Sequence, residues 1–153
     1  MSTYLSYDSL VSTRDDSELE LWRRWKLANE TVHGRIFEEI TSWSGLSEAD
    51  VAVLFRVADR KNHRISQNEL AASLRWHRSR LSHQLTRMER RGLLRRTRTE
   101  GVVVSVTDAG IDAVETSRPV VTASIRKYFI DLIPEENEQA FREVLERLID
   151  GER

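Results

Sequence analysis

The sequence predicts a mainly α-helical fold with a small β-hairpin, and three features predict it. Both ends repeat apolar residues at helical spacing over long stretches. Near the middle, two shorter helical patterns are separated only by the turn Arg75-Trp76-His77. Beyond them the β-branched run Val102-Val103-Val104-Ser105-Val106 follows Gly101, and with the segment from Leu93 it reads as a hairpin with its tip near Thr97 to Gly101.

Each element has its own signal. From Glu18 to about Trp43 the apolar positions Leu21, Trp25, Ala28, Val32, Ile36, Ile40 and Trp43 form one seam of a long helix. Gly34 costs roughly 1 kcal/mol inside a helix, so it marks a bend or the close approach of a neighbour. Ser47 followed by Glu48 and Asp50 starts a second helix, because a serine oxygen accepts from a free amide and early acids suit the helix dipole. Ser66-Gln67-Asn68-Glu69 reads as a complete capping box opening a short third helix. A fourth carries Leu81, Leu85 and Met88 inward and stops at Gly92. Thr107 caps a long fifth helix, which Pro119 should kink or restart. Pro134 suits the first turn before a last amphipathic helix with Phe141, Val144, Leu145, Leu148 and Ile149.

Charge locates the function. The segment Arg75 to Arg98 holds nine arginines and one acid, Glu89, while the whole 153-residue chain has a formal charge of −1. Arginine outnumbers lysine 21 to three, which explains the choice of base but not its crowding. The usual partner of such a concentrated footprint is a phosphate backbone.

Other function classes lose support. With no cysteine there is no disulfide framework, thiolate metal site or thiol nucleophile. The four histidines (His33, His63, His77 and His83) show no metal-ligand spacing, so neither metal nor cofactor is expected. No apolar run approaches 18 residues, and the amino terminus lacks a basic flank with an apolar block. The expectation is a cytoplasmic protein with no membrane partner. A small hydrolase or transferase would need a nucleophile elbow, a glycine phosphate loop or a metal motif, and none is found. A helical protein–protein adaptor is the other alternative; it leaves the arginine segment without a role.

Two short helices joined by a tight turn and followed by a basic hairpin make a winged helix-turn-helix, whose second helix enters the major groove of double-stranded DNA. With Leu81, Leu85 and Met88 inward, Ser79, Arg80, Ser82, His83 and Arg87 point outward or sideways as the base-reading set. Arg78, Arg90 and Arg91 suit phosphate, as do Arg95, Arg96 and Arg98 on the hairpin, where one could enter a narrowed minor groove. Trp76, in the turn, is expected to pack into this unit rather than touch DNA.

Four motifs occur in order: Ser66-Gln67-Asn68-Glu69-Leu70-Ala71, Arg78-Ser79-Arg80-Leu81-Ser82, Arg87-Met88-Glu89-Arg90-Arg91-Gly92-Leu93-Leu94, and Val106-Thr107-Asp108-Ala109-Gly110. In this order and spacing they resemble the MarR family of bacterial transcription regulators. The resemblance implies a homodimer that binds a palindromic operator and responds to a ligand, most often as a repressor. It places Ser79, Arg80 and His83 on the base-reading face, and Ser66 and Gln67 against phosphate. It also implies dimerisation helices over 16–45 and 108–153 and the winged DNA-binding unit over 46–107, while residues 1–15, rich in Ser, Thr and Tyr, read as a loosely ordered arm. Two departures stand out. The wing segment Arg96-Thr97-Arg98-Thr99-Glu100-Gly101 is short and lacks the family's Asp-x-Arg pair. His77 also stands where Asp, Ser or Asn would cap the recognition helix.

The tryptophans of the first helix read most simply as core or dimer seam. Their alternative role is an effector pocket for a small organic anion, lined by Trp22, Arg23, Trp25 and His33.

Overall fold

The computed structural model describes residues 13–151, with side chains from Asp16 onward. The expected amino-terminal arm lies outside the described residues as far as residue 12, and residues 13–15 are already helical. Helix α1 (Thr13–Ser44) is followed by α2 (Glu48–Ala58), β1 (Arg64–Ser66), α3 (Gln67–Leu74), α4 (Arg78–Arg90), β2 (Leu94–Arg98), β3 (Val102–Val106), α5 (Asp108–Tyr128) and α6 (Glu138–Asp150). Two short 3-10 turns, Ile130–Leu132 and Glu135–Asn137, separate α5 from α6.

The chain forms two units, one up to Arg35 and one from Ile36 onward. In the first, α1 carries Leu21, Trp22, Trp25 and Leu27 exposed to solvent. Gly34 has nothing of this chain near its Cβ position, so the close approach that its sequence position suggested is absent among the described residues.

The second unit holds the core. Ile40, Val53, Leu54, Val57, Leu70, Leu81, Leu85, Met88 and Val104 are fully buried. Burying a side chain of this size contributes about 1.5–3 kcal/mol, so this cluster from five elements fixes α4 on α2 and α3. The sheet runs β1-β3-β2, antiparallel throughout, with Ile65 opposite Val104 and Arg96 opposite Val104. The sequence pattern shows the hairpin but not β1. A three-residue strand is too short for a period-two signal, and Ile65 becomes a strand residue only by pairing with β3.

The caps differ from expectation in an instructive way. The complete capping box is at α2: Ser47 Oγ accepts from Asp50 N at 3.2 Å, and Asp50 Oδ2 accepts from Ser47 N at 2.9 Å. At α3 only the Ser66 half forms, with Ser66 Oγ accepting from Glu69 N. The exposed Glu69 carboxylate faces Arg60 at 3.8 Å instead.

Helix α4 closes in a Schellman motif. Gly92 (φ 71°) donates to Glu89 O at 2.9 Å, and buried Leu93 donates to Met88 O at 3.1 Å. The same pair of bonds ends α3, with Arg75 N on Ala72 O and Trp76 N on Ala71 O, but there Arg75 takes the left-handed position at φ 52°.

Thr107 then ties α5 to the end of α4. Its hydroxyl accepts from Gly110 N at 3.1 Å and donates to Gly92 O at 2.6 Å, and its backbone N donates to Leu93 O. Helix α5 continues through Pro119 rather than restarting. Both Pro119 and Glu115, whose carbonyl loses its helical donor, face solvent, where water can reach the orphaned carbonyl.

Candidate nucleic-acid interface

The recognition element is built from α3, the turn and α4. The left-handed Arg75 turns the chain sharply between the helices, and α4 starts at His77, whose side chain makes no cap bond. The inward face of α4 is Leu81, Gln84, Leu85 and Met88. On the opposite side Arg78, Ser79, Arg80, His83, Arg87 and Arg90 are exposed, and Ser82 is half-buried. Ser66 is exposed and Gln67 half-buried at the start of α3. Arg95 and Arg98 are exposed on β2.

Seven of the nine arginines fall into three groups. Arg75, Arg78, Arg90 and Arg95 are exposed and make no ion pair among the described residues. Arg80 lies over the Trp76 ring, with its Cζ 4.0 Å from the centroid. Stacking of this kind uses the π faces of the guanidinium and leaves its in-plane N–H groups to bind elsewhere. Trp76 is half-buried, so it packs as expected and also carries Arg80 on its face.

The third group is turned to the fold. Arg91 Nη1 donates to Asp50 Oδ2 at 2.6 Å, and Asp50 is 3% exposed. Arg96 is mostly buried; its Nε donates to Glu89 Oε2 at 2.9 Å and its backbone N to Glu89 Oε1 at 2.8 Å. Its Nη2 also donates to Thr86 Oγ1 at 2.9 Å. The sequence reading sends both arginines to phosphate; Arg96 is held in a mostly buried ion pair, whereas Arg91, its side chain 44% exposed, pairs with the buried Asp50.

These contacts tune the two acids. Burial raises the Asp50 carboxyl, but the bonds from Arg91 and Ser47 outweigh it and hold the group below its ordinary value. The Arg96 hydrogen bond, against a smaller effect of burial, likewise holds Glu89 low. The sequence marks Asp50 only as an early acid of α2 and Glu89 only as the one acid of the arginine segment, and it does not mark Gln84. A signal existed for Gln84: a polar side chain inside the Leu81, Leu85 and Met88 stripe requires a buried partner.

The effector residues are in the amino-terminal unit. Trp22 and Trp25 stack at 5.2 Å between centroids, and Trp22, Arg23, Trp25 and His33 are all exposed. Among the described residues no group of three or more His, Asp or Glu side chains converges to hold a metal, and no helix is long and apolar enough to cross a membrane.

A MarR-family model matches residues 44–102, which span the end of α1, the helix-turn-helix and the start of β3. The matched segment is similar to the winged helix of the MarR family. The likeness extends beyond the matched segment. AbsC, a MarR family transcriptional regulator from Streptomyces coelicolor, superposes with a TM-score of 0.84 at 25% identity, over 98% of this chain and 97% of its own. Sco3205, a MarR family regulator from the same organism in complex with DNA, gives 0.83 at 23% identity over 90% and 92%. The transcriptional repressor CouR bound to p-coumaroyl-CoA gives 0.74 at 23% identity over 91% and 97%. No curated protein matches by sequence. Members of the MarR family are transcription regulators rather than enzymes.

Proposed function

We propose that this protein is a MarR-family, sequence-specific double-stranded DNA-binding regulator that acts as a homodimer on a palindromic operator, as a ligand-responsive repressor. The carrying observation is the outer face of α4. There Ser79, Arg80, His83 and Arg87 project from a helix whose other face is locked in the core. Ser82 flanks them. A bidentate arginine contact to guanine distinguishes one base pair from another. Ser66, Gln67, Arg78, Arg90, Arg95 and Arg98 surround this face as phosphate contacts, while Arg91 and Arg96 serve the fold. The DNA complex of Sco3205, a protein of the same fold, supports the reading.

The dimer follows from what is left uncovered. Leu19, Trp22 and Trp25 on α1, and Val144, Leu148 and Ile149 on α6, are about half exposed or more. Apolar faces of this extent mark an interface, and a second copy of the chain covers them. The two recognition helices then meet half-sites about 10 bp apart.

The effector reading rests on Trp22, Arg23, Trp25 and His33, with a small organic anion as the ligand. CouR, of like fold, binds an acyl-CoA thioester. The ligand regulates only by binding the two states of the dimer with different affinity.

The deciding experiment is selection from a random duplex pool with the purified protein, followed by gel-shift titration. A palindrome should emerge, and log affinity should fall linearly with log salt. No enrichment, with no binding even in dilute buffer, overturns the proposal. Calorimetric titration with aromatic carboxylates and acyl-CoA thioesters tests the effector.

A further inference from the structure

One polar side chain is buried in the apolar stripe of α4. Gln84 is 2% exposed, between Leu81 and Leu85 on one side and Met88 on the other. Its Nε2 donates to Asp50 Oδ1 at 2.8 Å. Asp50, in the first turn of α2, is itself fixed. Its other oxygen accepts from Ser47 N at 2.9 Å and from Arg91 Nη1 at 2.6 Å.

This fixes which way the Gln84 amide faces. A flipped amide would set its carbonyl oxygen against the carboxylate, two acceptors with no proton between them. The carbonyl therefore points away from Asp50, and there it accepts from Arg87 Nη2. Arg87 is exposed, one turn further along α4. An arginine side chain free in water loses rotamer entropy when it is fixed. Here part of that ordering is in place before any ligand arrives. One N–H is used beneath, and the other guanidinium donors remain for a partner above.

We propose that Asp50 and Gln84 are positioning residues for Arg87: a buried relay rooted in α2 holds its guanidinium ready to read one base pair in each half-site. The inference rests on the reading of α4 as a groove-binding helix. It adds the residues beneath that face which set its specificity.

Two measurements test it. The first needs no DNA. Nitrogen relaxation of the Arg87 side chain in the free protein should show an ordered Nε, in contrast to Arg90, and Gln84→Met should release it. Arg87 as mobile as Arg90 in the unaltered protein overturns the proposal, whether or not the variant folds.

The second uses the duplex selected by the unaltered protein, with each base pair changed in turn. Arg87→Ala should lower discrimination at one pair per half-site roughly tenfold. Gln84→Met should lower discrimination at the same pair several-fold, and should add nothing in the Arg87→Ala background. A uniform loss at every pair, or an equal further loss in that background, would assign Gln84 to the fold alone. If the unaltered protein enriches no duplex, the DNA-binding reading fails, and it fails before any variant is made.

Discussion

The Arg96 guanidinium closes on the Glu89 carboxylate, tying the first strand of the wing to the carboxyl end of the recognition helix. Three contacts share the task, the backbone N at 2.8 Å and the side-chain Nε and Nη2 at 2.9 and 2.5 Å. The wing therefore moves with α4 as one body. Glu89→Ala strips the acceptors from a mostly buried arginine and should cost about 1–3 kcal/mol.

The sign of the pH effect follows from the lowered Glu89 carboxyl. A group held below its ordinary value contributes stability that is present above the ordinary glutamate range and is lost as pH falls through the folded value. Urea unfolding should show a large gap between the native protein and Glu89→Ala at neutral pH, and a smaller gap in acid, below the ordinary glutamate range. An unchanged gap would mean that the charge of Glu89 does not carry the bond.

Glycine substitutions should have opposite signs at two positions. A Cβ at Gly110 would collide with the Leu93 carbonyl and with Val106 Cγ1, and the first of these is backbone that cannot swing away. Gly110→Ala should cost roughly 1–3 kcal/mol and loosen the joint between α4, β3 and α5. Gly34→Ala, with open space at its Cβ position, should gain up to about 1 kcal/mol from helix propensity alone. Thermal unfolding of both variants checks the pair. A loss at Gly34 would mean that another chain lies against it.

The parts legible in the sequence are those with local signals. Helical periodicity gives α1, α2 and α4 to α6, the hydroxyl caps give the starts of α2, α3 and α5, and Gly92 gives the end of α4. Nonlocal pairing is not legible in this way. Ile65 is a strand residue only because Val104 lies opposite, nearly forty positions away. The same holds for charge: nine arginines in one segment look alike until the fold gives two of them acidic partners. Arg91 finds an acid in α2, and Arg96 finds one on the helix before it. Helix α5 passing Pro119 is a third case, since the cost of the lost bond depends on whether the orphaned carbonyl reaches water.

Salt dependence separates the arginines that position the duplex from those that read it. Arg90 is exposed at the far end of α4 and makes no ion pair among the described residues. Arg90→Ala should weaken binding to all duplexes alike and reduce the slope of log affinity against log salt by about 1. A loss confined to the selected duplex would move Arg90 into the base-reading set.

Arg80 should behave differently, because Trp76 presents its guanidinium from below at 4.0 Å. Arg80→Ala should lower discrimination between the selected duplex and a scrambled one, by about 1–3 kcal/mol at one base pair. Trp76→Leu keeps an apolar side chain in the turn but removes the platform, worth roughly 0.5–2 kcal/mol. It should lower discrimination at the same base pair and by less than Arg80→Ala does. Because the stack acts only through Arg80, the two changes together should equal Arg80→Ala alone. Additive losses would show that Trp76 supports the turn without presenting the arginine, and equal losses on scrambled and selected duplexes would remove Arg80 from base reading.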